Sequence, residues 1–288
     1  MFVIRQLFKP TFRLPQAPPT ITAGSSLKVL LDRDAIECLA HNLRVVHGKF
    51  DADGFTQQAK KGLKNQAILQ RGHHIAQALR AFLPQRYDDA IDIMLRSLTP
   101  PLTKTKDVGL GVFFYLPHIS FIARFGLDAE HNAGSDPFET SMKAQYELTR
   151  RFSAEYSIRP FLIRHPQRTL ARLTDWLTDA CPHVRRLCTE GTRPRLPWAI
   201  RIPGFIADPT PVLPILEALK DDESLYVRRS VANHLGDIYK DHPQLMLEIC
   251  ARWLNGASTQ RKWLLRHSLR YPAKKGVKVA VRLRRLAT

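Results

Sequence analysis

The sequence predicts an all-α fold, a HEAT-like helical-repeat solenoid (α-α superhelix) with a basic concave face. Three observations favour this fold class. Apolar residues recur at helical spacing along most of the chain. A Val-Arg-Arg triplet that begins at Val184 recurs 43 residues later, at Val227. Lysine and arginine total 44 against 26 aspartate and glutamate residues, which gives a formal net charge of +18.

The clearest helix reads SLYVRRSVANHLGDIYKDHP, residues Ser224–Pro243. At 100° per residue its apolar side chains form one stripe, which comprises Val227, Val231, Leu235 and Ile238. The opposite face carries the polar side chains of Arg229, Asn233, Asp237 and Lys240. Arg228 lies on the flank between the two faces. The helix is therefore predicted to bury one side and to offer the other to solvent or to an anion. By itself the polar face is what most amphipathic helices have.

Pairs of helices make up the second half of the chain. The predicted pairs are Arg168–Asp179 with Val184–Glu190, Pro211–Lys220 with Tyr226–Lys240, and Leu245–Leu254 with Gln260–Arg270. A period of about 40–47 residues with two helices per unit is typical of HEAT repeats. Because each Arg-Arg pair begins the second helix of its unit, we expect these arginines to line one face of the solenoid.

The first half is predicted to be helical as well, with helices at Leu27–His47, Phe50–Leu63, Ile68–Phe82, Arg86–Leu98, Val112–Phe125 and Pro137–Ile158. Residues 1–26 are predicted to be a loose basic leader, because Pro10–Ser26 holds four prolines and no acidic residue. Residues 27–270 would form the repeat domain. Residues 271–288 would form a basic C-terminal tail, either a disordered arm or the last polar cap of the array. From Arg261 onward there are ten lysines and arginines and no acidic residue.

Composition and motifs restrict the function classes. The positive charge favours a polyanionic partner, with nucleic acid first and an anionic membrane surface second. No apolar run approaches the roughly 20 residues that span a bilayer, so no membrane segment is expected. Four cysteines without a CxxC pair argue against a zinc site and a disulfide framework, and favour a cytoplasmic protein. The chain lacks a P-loop, a GxGxxG motif and a nucleophile elbow, which disfavours ATPases, dehydrogenases and serine hydrolases.

One carboxylate stands out against the helical pattern. Glu155 falls between Leu148 and Phe152 on the apolar stripe of the predicted helix Pro137–Ile158. A carboxylate in that position is costly unless it is paired. Arg151 and Arg159, at i−4 and i+4, could hold Glu155 in a purely structural salt bridge. The alternative is a carboxylate at the floor of a cleft, facing a cationic substrate.

Arginines cluster around a proline-broken loop, TRPRLPWAIR, that carries Trp198. We predict that this cluster and the polar face of the 224–243 helix bind nucleic acid through Arg185, Arg186, Arg193, Arg195, Trp198, Arg228, Arg229, Asn233 and Lys240. General solubility charge is the alternative. Trp198 could stack on a nucleotide, whereas Trp176, Trp253 and Trp263 sit at helical spacing and are predicted to be core. The histidines show no metal-ligand spacing.

Three stretches resemble the bacterial DNA alkylation repair glycosylases of the AlkC/AlkD type, and within them the AlkC branch: ELTRRFSAEYSIRPFL, HVRRLCTEGTRPRLPWA and SLYVRRSVANHLGDIYKDHP. The resemblance implies HEAT-like repeats around duplex DNA in a monomer. It implies a monofunctional glycosylase that hydrolyses the N-glycosidic bond of cationic alkylated bases, chiefly 3-methyladenine, and leaves an abasic site. It implies no metal and no small-molecule cofactor.

The resemblance also assigns residues. Glu155 matches the position of the family's catalytic carboxylate, and the positions that face the DNA backbone are Arg185, Arg186, Arg228 and Arg229. Asn233 stands where the AlkD branch has a tryptophan. Ile119-Ser120-Phe121 stands where many AlkC-type sequences have a second acidic residue. After the basic C-terminal segment we expect no immunoglobulin-like domain of the kind that many of them carry. A non-catalytic HEAT-repeat protein that binds nucleic acid therefore remains the main alternative, followed by a protein-interaction scaffold.

Overall fold

The computed structural model describes residues 12–22 and 24–288, and no β-strand occurs among them. Sixteen α-helices lie in this part of the chain: α1 Arg33–Val46, α2 Ala52–Lys60, α3 Ile68–Phe82, α4 Tyr87–Arg96, α5 Leu116–Phe125, α6 Phe138–Thr149, α7 Ile158–Arg164, α8 Pro166–Asp175, α9 Pro182–Glu190, α10 Pro203–Ala207, α11 Leu213–Leu219, α12 Leu225–Asp241, α13 Pro243–Leu254, α14 Thr259–Ser268, α15 Arg270–Lys274 and α16 Lys278–Leu286. Short 3-10 helices connect several of them: Leu27–Leu31, Leu63–Asn65, Leu110–Tyr115, Ala129–Asn132, Trp176–Thr178 and Thr210–Val212. The predicted all-α class is confirmed. No helix of these residues is long and apolar enough to cross a bilayer.

The helices form two compact units that meet in sequence between Phe152 and Ser153. This boundary falls inside the segment predicted as one repeat domain, residues 27–270. Of the predicted leader, residues 1–11 and 23 lie outside the described residues, and Arg13 is attached to α1 by two backbone hydrogen bonds with Asn42. The basic segment 271–288 belongs to the second unit, where α16 packs against α13.

The first unit is centred on the contact between α3 and α5. Gly72 permits their close approach, because a Cβ atom there would lie 2.7 Å from Cγ of Leu116. A buried hydrogen-bond chain ties α4 to α6: the hydroxyls of Tyr87 and Ser141 lie 2.8 Å apart, and Ser141 donates to the carbonyl of Gly126. The unit is therefore a packed helical core that carries its own internal polar contacts.

In the second unit α12 packs against α9, α13 and α14. The predicted apolar stripe is confirmed, since all four of its members are buried: Val227, Val231, Leu235 and Ile238. The opposite face differs from the prediction at Asp237. This side chain was predicted to lie on the polar face of the helix, but it is only 2% exposed. An ion pair with Arg193 explains this burial, because Arg193 Nε lies 2.8 Å from Oδ2 of Asp237. The polar face of α12 is therefore partly internal.

The segment around Glu155 is not the continuous helix that the sequence pattern predicts. α6 ends at Thr149 and α7 begins only at Ile158, so residues 150–157 form a turn region. Pro160 gives the physical reason. In an unbroken helix its ring would clash with the carbonyl four residues earlier, whereas in the first turn of α7 it is tolerated. The prediction that Glu155 lies on a helical stripe is therefore wrong, and Glu155 lies in a turn.

Candidate functional site

Glu155 is held by a serine and an arginine in the second unit. Its Oε2 accepts a hydrogen bond from Ser153 Oγ at 2.5 Å and one from Arg186 Nη1 at 2.7 Å. Both contacts fall on the same oxygen, and within residues 12–22 and 24–288 no hydrogen bond to Oε1 is found. About a quarter of the side chain, 26%, is exposed. The carboxylate is therefore fixed in direction and still presents an oxygen to a ligand.

The predicted helical partners of Glu155 are occupied elsewhere. Arg151 pairs with Oε2 of Glu147 at 2.8 Å. Arg159 is fully buried and donates to backbone carbonyls, among them that of Arg193 at 2.7 Å. The predicted i±4 salt bridges to Glu155 are thus wrong, because the turn carries this carboxylate toward α9 instead.

Arg186 lies between two carboxylates and an aromatic ring. It reaches Oε2 of Glu155 at 2.7 Å and Oε1 of Glu190 at 3.5 Å, and its guanidinium lies 4.8 Å from the ring centroid of Tyr226. Burial by itself lowers the pKa of Arg186, but the charges of Glu155 and Glu190 more than offset this effect and raise it overall. Arg186 is therefore a permanent cation that lies directly beside the carboxylate of Glu155.

Glu190 extends this arrangement into the interior of the unit. Its Oε1 lies 2.6 Å from Arg193 Nη1, and its Oε2 accepts from Ser230 Oγ at 2.6 Å. Burial raises the pKa of Glu190, but Arg186 and Arg193 lower it by more, so that the net shift is downward. Acidic and basic groups thus alternate from Glu155 to Asp237 in a connected network, the arrangement in which buried charges are tolerated.

The first arginine of each Arg-Arg pair, near the start of α9 and of α12, has a different environment. Arg185 is buried and forms two hydrogen bonds with the carboxylate of Asp222, at 2.6 and 3.0 Å. Arg228 is buried as well and donates to the carbonyls of Asp222 and Glu223 at 2.5 and 2.9 Å. Both side chains hold the turn before α12. The structure thus places these two arginines inside, where they shape the start of the helix.

The remaining predicted contacts of α12 lie nearer to solvent. Arg229 is exposed, and Lys240 is exposed while its Nζ lies 2.9 Å from Oδ1 of Asp237. Asn233 is half-buried, and its Oδ1 accepts from Arg270 at 3.1 Å. Arg229 in particular is available to an external anion.

The loop Thr192–Arg201 is held in place by Arg159. This buried guanidinium donates to the carbonyls of Gly191, Arg193, Pro194 and Ile200, and burial lowers its pKa to about 10. Gly191 allows the loop to begin close to α7, since a Cβ there would lie 2.6 Å from Cγ2 of Ile158. Satisfying four carbonyls with one side chain makes the loop a fixed platform.

Trp198 is the most prominent feature of that loop. Its side chain is 66% exposed, and its backbone adopts φ +66°, a left-handed conformation that is costly for a bulky residue. Nearby, Arg195 is half-buried and forms a two-pronged pair with Asp241, both contacts at 2.7 Å. An exposed aromatic side chain on a strained backbone is typical of a contact surface.

Sequence reasoning overlooked several residues of the site. Ser153, two residues before Glu155, and Tyr226, in the first turn of α12, contact the Glu155–Arg186 pair, and the sequence pattern singled out neither residue. Glu190 could have been found, because it lies four residues after Arg186 on the same helix and so shares its face. Of the predicted set, the structure brings together Glu155, Arg186 and Arg193.

Comparison with known proteins gives the family. No family model matches the chain. An uncharacterized protein of Bacillus subtilis (strain 168), YhaZ, is 35% identical over 260 residues, which cover 90% of this chain and 68% of YhaZ. Among solved structures, the alkylpurine DNA glycosylase AlkC of Pseudomonas fluorescens, bound to DNA containing an abasic site analog, superposes with a TM-score of 0.79 at 36% identity. That match covers 90% of this chain and 67% of the AlkC chain. The helical-repeat fold is thereby confirmed, and the chain belongs to the AlkC family of alkylpurine DNA glycosylases.

Proposed function

We propose that this protein is a monofunctional DNA glycosylase that removes cationic alkylated bases, chiefly 3-methyladenine, from duplex DNA and leaves an abasic site. Membership of the AlkC family supports the proposal, since the similar Pseudomonas fluorescens enzyme is an alkylpurine glycosylase seen with an abasic site analog. The single observation that carries the mechanism is the geometry of the Glu155 carboxylate. Ser153 and Arg186 fix one of its oxygens, and no residue in the described part of the chain donates to the other.

The chemistry needs little more than a fixed negative charge. Methylation at N3 makes the adenine cationic, so that breaking the bond to C1′ releases the base as a neutral molecule without a general acid. Positive charge then develops on the sugar, where a carboxylate stabilises it electrostatically. Water adds to C1′ and gives up a proton, either to the carboxylate or to solvent. Glu155 would stabilise the sugar cation and orient this water.

The surrounding residues take supporting roles in this proposal. Arg186 positions the carboxylate, because it touches Glu155 directly and is itself held by Glu190. Because Arg186 is already paired with two carboxylates, those of Glu155 and Glu190, a direct contact with a DNA phosphate would be a secondary role for it. Among the predicted DNA contacts, Arg229, Lys240 and Trp198 are exposed enough to meet the duplex. Arg185, Arg193 and Arg228 would act by shaping the surface, and Arg195 and Asn233 lie at its edge.

A base-release assay tests the proposal. Duplex DNA methylated at adenine N3 is incubated with excess protein, and free 3-methyladenine is measured over time against unmethylated duplex. Release by the wild-type chain supports the glycosylase. Tight binding of the duplex without release of any methylated base would instead favour a non-catalytic nucleic-acid-binding protein. Strand cleavage without added alkali would contradict the monofunctional assignment, because simple hydrolysis leaves the backbone intact.

A further inference from the structure

A basic cleft lies between the last helices of the second unit. It has a volume of about 460 Å³, and its cationic lining comes from α14, α15 and α16: Arg266, Arg270, Lys274, Arg284 and Arg285. A second recess of about 230 Å³ shares three of these arginines and adds Trp263 and His267. The two rings are stacked, with their centroids 5.1 Å apart and their planes 12° from parallel. Trp263, predicted as core, is only half-buried.

No acidic side chain lines this cleft, whose other lining residues are Ala273, Val281 and Thr288. No acidic residue follows Arg261 in the sequence. Within residues 12–22 and 24–288, none of the five lining cations forms an ion pair with a carboxylate. Around Glu155 the pattern is the reverse, since Arg185, Arg186 and Arg193 each have an acidic partner. Five like charges around one cleft repel one another unless an external anion is present.

Three of the four arginines of the cleft are anchored by hydrogen bonds and retain most of their donors. Arg266 donates to the carbonyl of Ala287, and Arg284 Nε donates to the carbonyl of Arg266 at 3.3 Å. Arg270 donates to the carbonyl of His267 at 2.6 Å. Each guanidinium has five N–H groups in a fixed fork. The cleft is therefore a held arrangement of donors, suited to the oxygens of phosphate.

The cleft adjoins the exposed face of α12. Asn233 on α12 accepts from Arg270 at 3.1 Å and lies 3.2 Å from His267. Burial and the charges of Arg270 and Arg229 together lower the pKa of His267 to about 4, so this ring is neutral near pH 7. The basic surface thus extends from Arg229 through Arg270 to α16. An extended polyanion fits such a surface better than a single small anion does.

We propose that this cleft, which we call the C-terminal cleft, is a second phosphate-binding surface that binds the sugar-phosphate backbone of nucleic acid with residues separate from those around Glu155. The choice of nucleic acid as the polyanion rests on the proposed function. The alternative source of phosphate is an anionic membrane, because Val279, Val281 and Leu286 of α16 are exposed. Nucleic acid is favoured because the donors converge on a cleft next to α12, and because the adjoining recess, which shares Arg266, Arg270 and Arg284 with it, is lined by a planar ring pair.

A charge-matched pair of variants tests the proposal in the full chain. The cleft variant carries Lys274→Ala, Arg284→Ala and Arg285→Ala; the control variant carries Lys49→Ala, Lys64→Ala and Lys143→Ala, three exposed lysines of the first unit. All six positions are exposed, so we expect both variants to fold, which circular dichroism and thermal melting verify. Binding of an undamaged duplex is followed by fluorescence anisotropy across a salt series.

We expect the cleft variant to bind at least tenfold more weakly at about 100 mM salt, and its log–log salt slope to fall by about two to three, roughly one per lost phosphate contact. The control should lose little in either quantity. Equal losses in both variants, or no loss in the cleft variant, would overturn the proposal. So would loss of binding to phosphatidylserine vesicles with unchanged duplex binding, which would identify a membrane site. Because the readout needs no base release, it stands even if the wild-type chain proves inactive.

Discussion

Arg186 and Glu155 form an ion pair of 2.7 Å although 31 residues separate them in sequence. The pair joins α9 to the turn before α7, and Ser153 completes it by donating to the same carboxylate oxygen and accepting from Arg186. A carboxylate that must stabilise a developing cation acts best when it is preorganised. In the proposed mechanism this pair would supply the orientation, and Oε1 of Glu155, to which no described residue donates, would supply the contact.

Replacing Glu155 by glutamine tests its catalytic role. The amide keeps the shape but loses the charge, so DNA affinity should persist while release of 3-methyladenine falls by roughly a hundredfold or more. Single-turnover release with excess protein is the measurement, because binding then does not limit the rate. If Glu155 only anchors Arg186, the variant should lose about 1 kcal/mol or more of folding stability, and binding and release should fall together. A folded variant that releases base at the wild-type rate would refute the assignment.

The network behind Glu155 makes Arg186 and Glu190 energetically coupled. Arg186→Ala removes one of the two cations that neutralise the buried carboxylate of Glu190, so that only Arg193 remains. We expect this change to lower the free energy of unfolding by about 3 kcal/mol. Glu190→Gln removes the charge that Arg186 balances. The double variant should therefore be more stable than the sum of the two losses by roughly 1–2 kcal/mol. Denaturant unfolding of all four proteins gives the coupling energy, and strict additivity would show that the ion pair is of no consequence.

Arg229 and Arg185 should separate binding from stability. Arg229 is exposed, so Arg229→Ala should weaken duplex binding and reduce the salt slope by about one, largely regardless of sequence. Arg185 is buried against Asp222, so Arg185→Ala should lower the melting temperature while leaving the salt slope of duplex binding largely unchanged. Anisotropy across a salt series and thermal melting measure the two effects. Unchanged affinity and slope for Arg229→Ala would exclude this face of α12 from the interface.

Trp198 combines backbone strain with exposure, and two substitutions distinguish these features. Glycine accepts φ +66° without penalty, whereas alanine does not, so Trp198→Gly should be more stable than Trp198→Ala by about 1 kcal/mol. If the indole stacks on DNA, both variants should lose a similar 1–3 kcal/mol of binding, the scale of one aromatic contact. Thermal melting and duplex affinity are compared side by side. Wild-type affinity in both variants would show that Trp198 makes no contact.

The lowered pKa of the buried His234 implies that the stability of the protein depends on pH. Burial lowers its pKa to about 4, although Asp237 and Glu190 act in the opposite direction, so the folded protein holds it neutral near pH 7. The unfolded chain protonates a histidine near pH 6.5. Between about 4 and 6.5 the unfolded state therefore binds more protons, and stability falls as the pH falls, by up to about 1.4 kcal/mol per pH unit. In His234→Gln the slope of unfolding free energy against pH should drop by about one proton, and an unchanged slope would contradict the prediction.

Local pattern was sufficient for much of the fold. Helix α12 was predicted at Tyr226–Lys240 and found at Leu225–Asp241, because its apolar stripe depends only on a spacing that a helix imposes. The same periodicity located both helices of each later pair, and three long stretches of sequence indicated the AlkC family. The basic concave face, in contrast, stays a prediction.

What the sequence determined by itself is thus the helical class, the repeat period in the second half and the residue types of the site. The tertiary structure alone decided their partners. Pro160 breaks the predicted helix and places Glu155 in a turn, where a guanidinium 31 residues away reaches it. Burial of Asp237 depends on Arg193, which lies 44 residues from it. Charges pair across such separations because a polar group inside a packed unit must find a partner in space, and periodicity along one helix carries no information about which neighbour provides it.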